Sequence, residues 1–202
     1  YLLTGTRRWV TGIDNSNSDA FTISSTGDLG SDGVLTLSTG GDATFAGNVL
    51  LSSATSASPM LEIKNINTNS LSGILRFTKI DGTNGSSAGD DIGLIDFRAL
   101  DSGGNIDVFA TIVGQVANPA SSSEGGRIVL NVASHDAELQ PGLIIVDGNA
   151  EDEVDVTIAN GAASLTTVSG NLTVVGGNIT LGNGEIGRDA DNLLDFSVDN
   201  KI

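Results

Sequence analysis

Apolar residues enter this chain in short bursts, each set off by Gly, Asn or Asp. Near the beginning the units read Gly27-Asp28-Leu29, Gly33-Val34-Leu35-Thr36-Leu37, Gly41-Asp42-Ala43-Thr44-Phe45 and Gly47-Asn48-Val49-Leu50-Leu51. Near the end come Val154-Asp155-Val156-Thr157-Ile158, Gly170-Asn171-Leu172-Thr173-Val174 and Gly177-Asn178-Ile179-Thr180-Leu181. Thr or Asp between apolar neighbours gives the period of two expected of a half-buried strand. Gly and Asn supply the positive-φ corners between strands. The spacing, roughly six to eight residues, is shorter and less regular than solenoid periods.

Such a unit cannot stand alone. Fixing about six residues costs on the order of 6–12 kcal/mol in backbone entropy. The few apolar side chains in each unit contribute about 1.5–3 kcal/mol apiece, and only when fully buried. Three copies wound about a common axis would bury them, with strands pairing between chains. The pattern therefore predicts two lengths of intertwined homotrimeric β-fibre shaft, residues 1–55 and 151–202. Leu35, Leu37, Phe45, Val49, Leu172, Val174, Ile179 and Leu181 are the side chains expected at the trimer axis. A single-chain β-solenoid is the structural alternative.

Between the shafts, residues 56–150 carry longer candidate strands: Met60–Asn65, Gly73–Lys79, Gly93–Ala99, Val108–Gln115, Gly126–Val132 and Gly142–Val146. Ile95/Phe97/Ala99 and Ile128/Leu130/Val132 alternate cleanly. Polar loops at 81–91 and 117–125 separate these strands, so the middle is expected to be a central antiparallel β-sandwich lobe. The fold class is all-β.

Composition agrees with this pattern. The 202 residues include 27 Gly and no Cys, and are 39% hydrophobic but only 4% aromatic. That is too apolar for simple disorder and too poor in aromatics for a thick core. The formal charge of −16 repels phosphate, which argues against nucleic acid and anionic membranes as partners. Apolar runs such as Leu143-Ile144-Ile145-Val146 fall far short of the ~20 residues of a membrane helix, so no membrane insertion is expected. Tyr1 in place of Met implies a fragment or a trimmed product.

Several short motifs invite a chemical reading. Gly182-Asn183-Gly184-Glu185-Ile186-Gly187 fits a dinucleotide loop but is followed by a polar turn instead of a helix. Gly85-Ser86-Ser87-Ala88-Gly89 fits a nucleophile elbow, which needs a strand-to-helix turn and a later His; here the loop is polar and His135 is the sole histidine. Asp14-Asn15-Ser16-Asn17-Ser18-Asp19 opens like a calcium loop but lacks its Gly and its closing Glu. The acidic run Asp147–Glu153 is the better cation candidate, although such runs are more often solvated loops. Neither catalytic residues nor a cofactor are assigned.

Three segments together are similar to bacteriophage tail fibre proteins. They are Trp9-Val10-Thr11-Gly12-Ile13-Asp14 with Phe21-Thr22-Ile23-Ser24, the shaft-like Gly41–Val49, and Ile186–Phe196, which resembles the lead into a C-terminal intramolecular chaperone. The resemblance covers about a quarter of the chain. It implies a virion appendage, a homotrimer, contact with other virion tail proteins, and adsorption to a bacterial surface. Receptor contacts, for instance to a surface glycan, are expected from lobe loops rich in hydrogen-bonding side chains: Thr83, Asn84, Ser86, Asp90, Asn118 and Ser122. The functional alternatives are a dedicated glycan-binding lobe and a tailspike-like polysaccharide depolymerase.

Overall fold

The computed structural model describes residues 3–4, 7–30, 32–80 and 85–175. As the alternation requires, it is all-β, and its strands form antiparallel sheets. The chain divides into two units, Tyr1–Leu75 and Arg76–Ile202.

In the first unit, β1 (Leu3–Thr4) pairs with β2 (Arg7–Arg8). A four-stranded meander follows, β3 (Val10–Asp14), β4 (Ala20–Ser24), β5 (Gly33–Leu37) and β6 (Ala43–Phe45), in the spatial order β3-β4-β5-β6. Asp14 ends β3 by accepting hydrogen bonds from the Ser16 amide at 3.0 Å and the Ser16 hydroxyl at 2.6 Å. A 3-10 turn over Asn15–Asn17 then leads into Ser18 and Asp19, both at positive φ. The Gly33 and Gly41 units pair with each other as a hairpin closed by Ser38 and Asp42. Both edges of β5 are taken within one chain, which departs from the pairing between chains expected at that strand.

Residues 46–80 contain no strand, so the expected strands at Gly47–Leu51, Met60–Asn65 and Gly73–Lys79 are not formed. Local side chains compete for the backbone there. The amides of Asn67, Asn69 and Leu71 donate in turn to the side-chain oxygens of Asn65, Asn67 and Asn69. Each such turn withdraws a donor from any ladder.

The second unit is a five-stranded antiparallel meander in the order β11-β10-β9-β8-β7. Its strands are β7 (Asp91–Leu100), β8 (Ile106–Asn118), β9 (Gly125–Ala133), β10 (Leu139–Asp147) and β11 (Val154–Ile158). The lobe strands β7–β10 thus appear where alternation placed them, each longer than expected. They make one antiparallel layer of the kind a sandwich contains. β11, expected in the distal shaft, closes the edge of this sheet by pairing with β10. Among the described residues, 159–175 contain no strand, so the expected strand at Gly170–Val174 is absent.

Candidate functional site

Register in the four-stranded sheet decides which side chains share a face. Thr11, Ile23, Leu35 and Phe45 stand opposite one another, as do Ile13, Phe21, Leu37 and Ala43. Directly opposed residues point the same way, so one face collects nearly all the large apolar side chains of the sheet. That face is open: Ile13, Phe21, Leu37 and Phe45 are exposed, while Ile23 and Leu35 are half-buried. The other face carries Asp14, Ala20, Thr22 and Ser24, all buried. Leu29, from the β4–β5 connection, covers Gly12 on that side, 3.1 Å from where a Cβ would stand. The sheet is inside out: its small and polar face is covered and its apolar face is bare.

Three expected axis residues, Leu35, Leu37 and Phe45, therefore come together on one face. Ile13, Phe21 and Ile23 join them; they were not among the expected axis residues, although the alternation Phe21/Ile23 carried the signal. Val49, Leu172 and Val174 are exposed but lie in strandless stretches. Ile179 and Leu181 lie outside the described residues, as do the glycine loop at 182–187 and the segment Ile186–Phe196.

A second assembly of side chains lies at one end of the five-stranded sheet. The antiparallel order brings the segment before β7, the β8–β9 loop and the β10–β11 loop to that end. An open cleft of about 700 Å³ there is lined by Asn118, Ser122, Glu124, Asp147, Glu151 and Asp152, among others. A neighbouring cleft of about 400 Å³ shares Asn118 and Glu124 and reaches Ser86. Two segments considered separately in the sequence, the polar 117–125 loop and the acidic Asp147–Glu153 run, thus face one space. Of the receptor-loop candidates, Ser86, Asp90, Asn118 and Ser122 belong to this end; Thr83 and Asn84 lie outside the described residues.

Several of the acids here are already engaged. The Glu153 carboxylate accepts the Asn149 amide at 2.8 Å and the Ala150 amide at 3.0 Å. Glu124 accepts the Ser122 amide at 3.2 Å. Asp90 accepts the Ser87 amide at 2.8 Å and pairs with Lys79 at 3.1 Å. The Ser87 hydrogen bond, with help from Lys79, holds its carboxyl below the ordinary Asp value. Asp90 is thus a turn-closing residue as well as a loop candidate. Among the described residues, no three His, Cys, Asp or Glu side chains are grouped to hold a metal ion, in the acidic run or at Asp14.

Ser86 and His135 cannot cooperate. Ser86 lies at the cleft end, whereas His135 sits in the β9–β10 loop at the far end of nine-residue β9, roughly 30 Å along the strand.

Comparison with protein-family models, with curated proteins and with solved structures yields no match.

Proposed function

We propose that this chain is a structural and adhesive segment of a bacteriophage tail fibre, assembled as a homotrimer and carrying receptor-facing loops. The observation that carries the reading is the inverted four-stranded sheet. A soluble protein rarely leaves its main apolar face bare, and a contiguous patch of that kind marks an interaction surface. Leu35, Leu37 and Phe45, expected at a trimer axis from the shaft pattern, stand on that patch. Among the described residues, the buried apolar side chains are Ala20, Val113 and Val129 alone, too few for either unit to stand without a partner. Light scattering on the purified chain tests the assembly: a mass three times 20.4 kDa is expected, and a folded single-chain species overturns the reading.

The adhesive part rests on the three polar loops gathered at one end of the five-stranded sheet. The cleft between them also favours a second reading, a lobe dedicated to glycan recognition. Its Asn and Ser side chains suit sugar hydroxyls, and no aromatic side chain lines it, so each site would bind weakly. Three copies raise the effective concentration, commonly by about 10²–10⁴-fold in avidity. Asn118→Ala with Ser122→Ala is expected to reduce binding of the trimer to host cells and to a glycan array. Unchanged adsorption with an intact trimer makes the lobe a spacer.

A further inference from the structure

The five-stranded sheet has an open apolar face of its own. Ile95, Ile112, Leu130, Leu143 and Ile158 are directly opposed from strand to strand, forming one row across all five strands. Gly93, Gly114, Ile128, Ile145 and Val156 form the next row on the same face, with Phe77 of the same chain against its β7 end. Neither row contains a charge. Exposure is large for core-type residues: Ile128 is 47% exposed, Val156 57% and Ile158 59%. Summed over the exposed apolar residues of these rows and of the adjoining Phe97 and Val132, at roughly 200 Å² for a fully exposed large side chain, the uncovered area is about 750 Å². That exceeds the largest patch of a typical monomer and matches the ~800 Å² each partner gives to a stable interface. The face is also shaped: a hollow of about 430 Å³ lies over Gly114, Gly126, Ile128 and Ile145, with Asp147 and Arg127 at its edge. A Cβ added at Gly114 or Gly126 would meet nothing within 4 Å.

We infer that this face of β7–β11 is a second self-association surface, covered by other copies of the same chain. Area is one argument, and charge is the other. Copies carrying −16 each repel where their acids meet, so they approach best along these two charge-free rows, with Asp147 at the margin of the face beside Val154. Sheet faces pack about 10 Å apart with interdigitated side chains, and the hollow over Gly114 and Gly126 admits a bulky side chain from a neighbour. The inference rests on the homotrimeric reading and extends the contact from the shaft into the lobe.

The absence of cysteine makes the test direct. Ile128→Cys on the face and Ser102→Cys in the exposed β7–β8 loop are each labelled with a thiol reagent in the native assembly, with mass followed by light scattering. In a lone chain Ile128 is accessible, so protection there reports a neighbouring copy. Labelling at Ile128→Cys at least tenfold slower than at Ser102→Cys is expected. Equal rates in an assembled particle overturn this face while leaving the shaft reading intact; a folded single-chain mass overturns both. Gly114→Phe is a second probe. Its Cβ meets nothing within 4 Å and its ring extends into the hollow, so strand content by circular dichroism should persist while assembly weakens at least tenfold. Unaltered assembly of this variant also overturns the inference.

Discussion

Phe45→Ala offers a quantitative test of the inverted sheet. Phe45 stands opposite Leu35 on the apolar face of β6 and is 53% exposed in the chain. At roughly 200 Å² for the whole side chain, assembly would bury about 100 Å² of it, worth about 2.5 kcal/mol per copy at ~25 cal/mol per Å². Three copies lose roughly 7–8 kcal/mol together, a factor of roughly 10⁵ in the association constant. The midpoint concentration of a three-chain equilibrium varies as the square root of that constant, so dissociation should move up several-hundred-fold. In a single chain the same change is a surface substitution costing under about 1 kcal/mol. Sedimentation across a dilution series separates the two cases. Thr44→Ala, on the opposite face of the same strand, serves as the control. A midpoint moving less than threefold for Phe45→Ala, or equally for both variants, refutes the assignment of this face to assembly.

Two further outcomes follow from local geometry. A Cβ at Gly93 would stand 2.6 Å from both Cβ and Cγ of Phe77, so Gly93→Ala should destabilise by about 1–3 kcal/mol, whereas Gly114→Ala meets open space; equal melting of the two variants would contradict the packing. Asp90 has a lowered pKa in the fold, so its contribution to the turn is fully present above the unfolded pKa and is lost as pH falls through the folded one. Amide exchange at Ser87 should therefore loosen only below the ordinary Asp range, and Asp90→Asn should abolish that pH dependence; an unchanged profile counts against the turn assignment.

Alternation made the lobe legible. Ile95/Phe97 and Ile128/Leu130/Val132 each lie within a strand, because a period of two is a direct imprint of the pleat. Residues 46–80 were not legible in the same way. Their apolar residues suit strands, but Asn65, Asn67 and Asn69 cap successive amides, and such local competition is invisible to hydrophobic periodicity. Periodicity also cannot say which face is covered. In β4 the alternation of Ala20/Thr22/Ser24 with Phe21/Ile23 is plain, yet the small polar set is the buried one. The cleft was half legible: both contributing loops stood out by composition, but their proximity depends on the meander order of β8 to β11.

The acidic excess acquires a physical reason from the same strand-and-turn economy. Each short strand requires a turn, and each turn leaves amides that need an acceptor. Asp14, Asp28, Asp101, Asp136 and Glu153 all accept backbone amides close by in sequence. At Asp101 those bonds, above all from Asn105, hold the carboxyl below its ordinary range, so it stays charged while it closes the turn. Part of the negative charge is thus placed at corners by the demands of turn closure, without any ligand. The apolar rows Ile95 to Ile158 and Ile23 to Phe45, half-buried to exposed, remain free of charge. In the proposed assembly, copies built this way would repel at their corners and meet on their faces. Between such copies that combination would disfavour sliding, because any shift that brings corner against face desolvates a carboxylate without a partner. Turn chemistry would then set the register of assembly as well as the path of each strand.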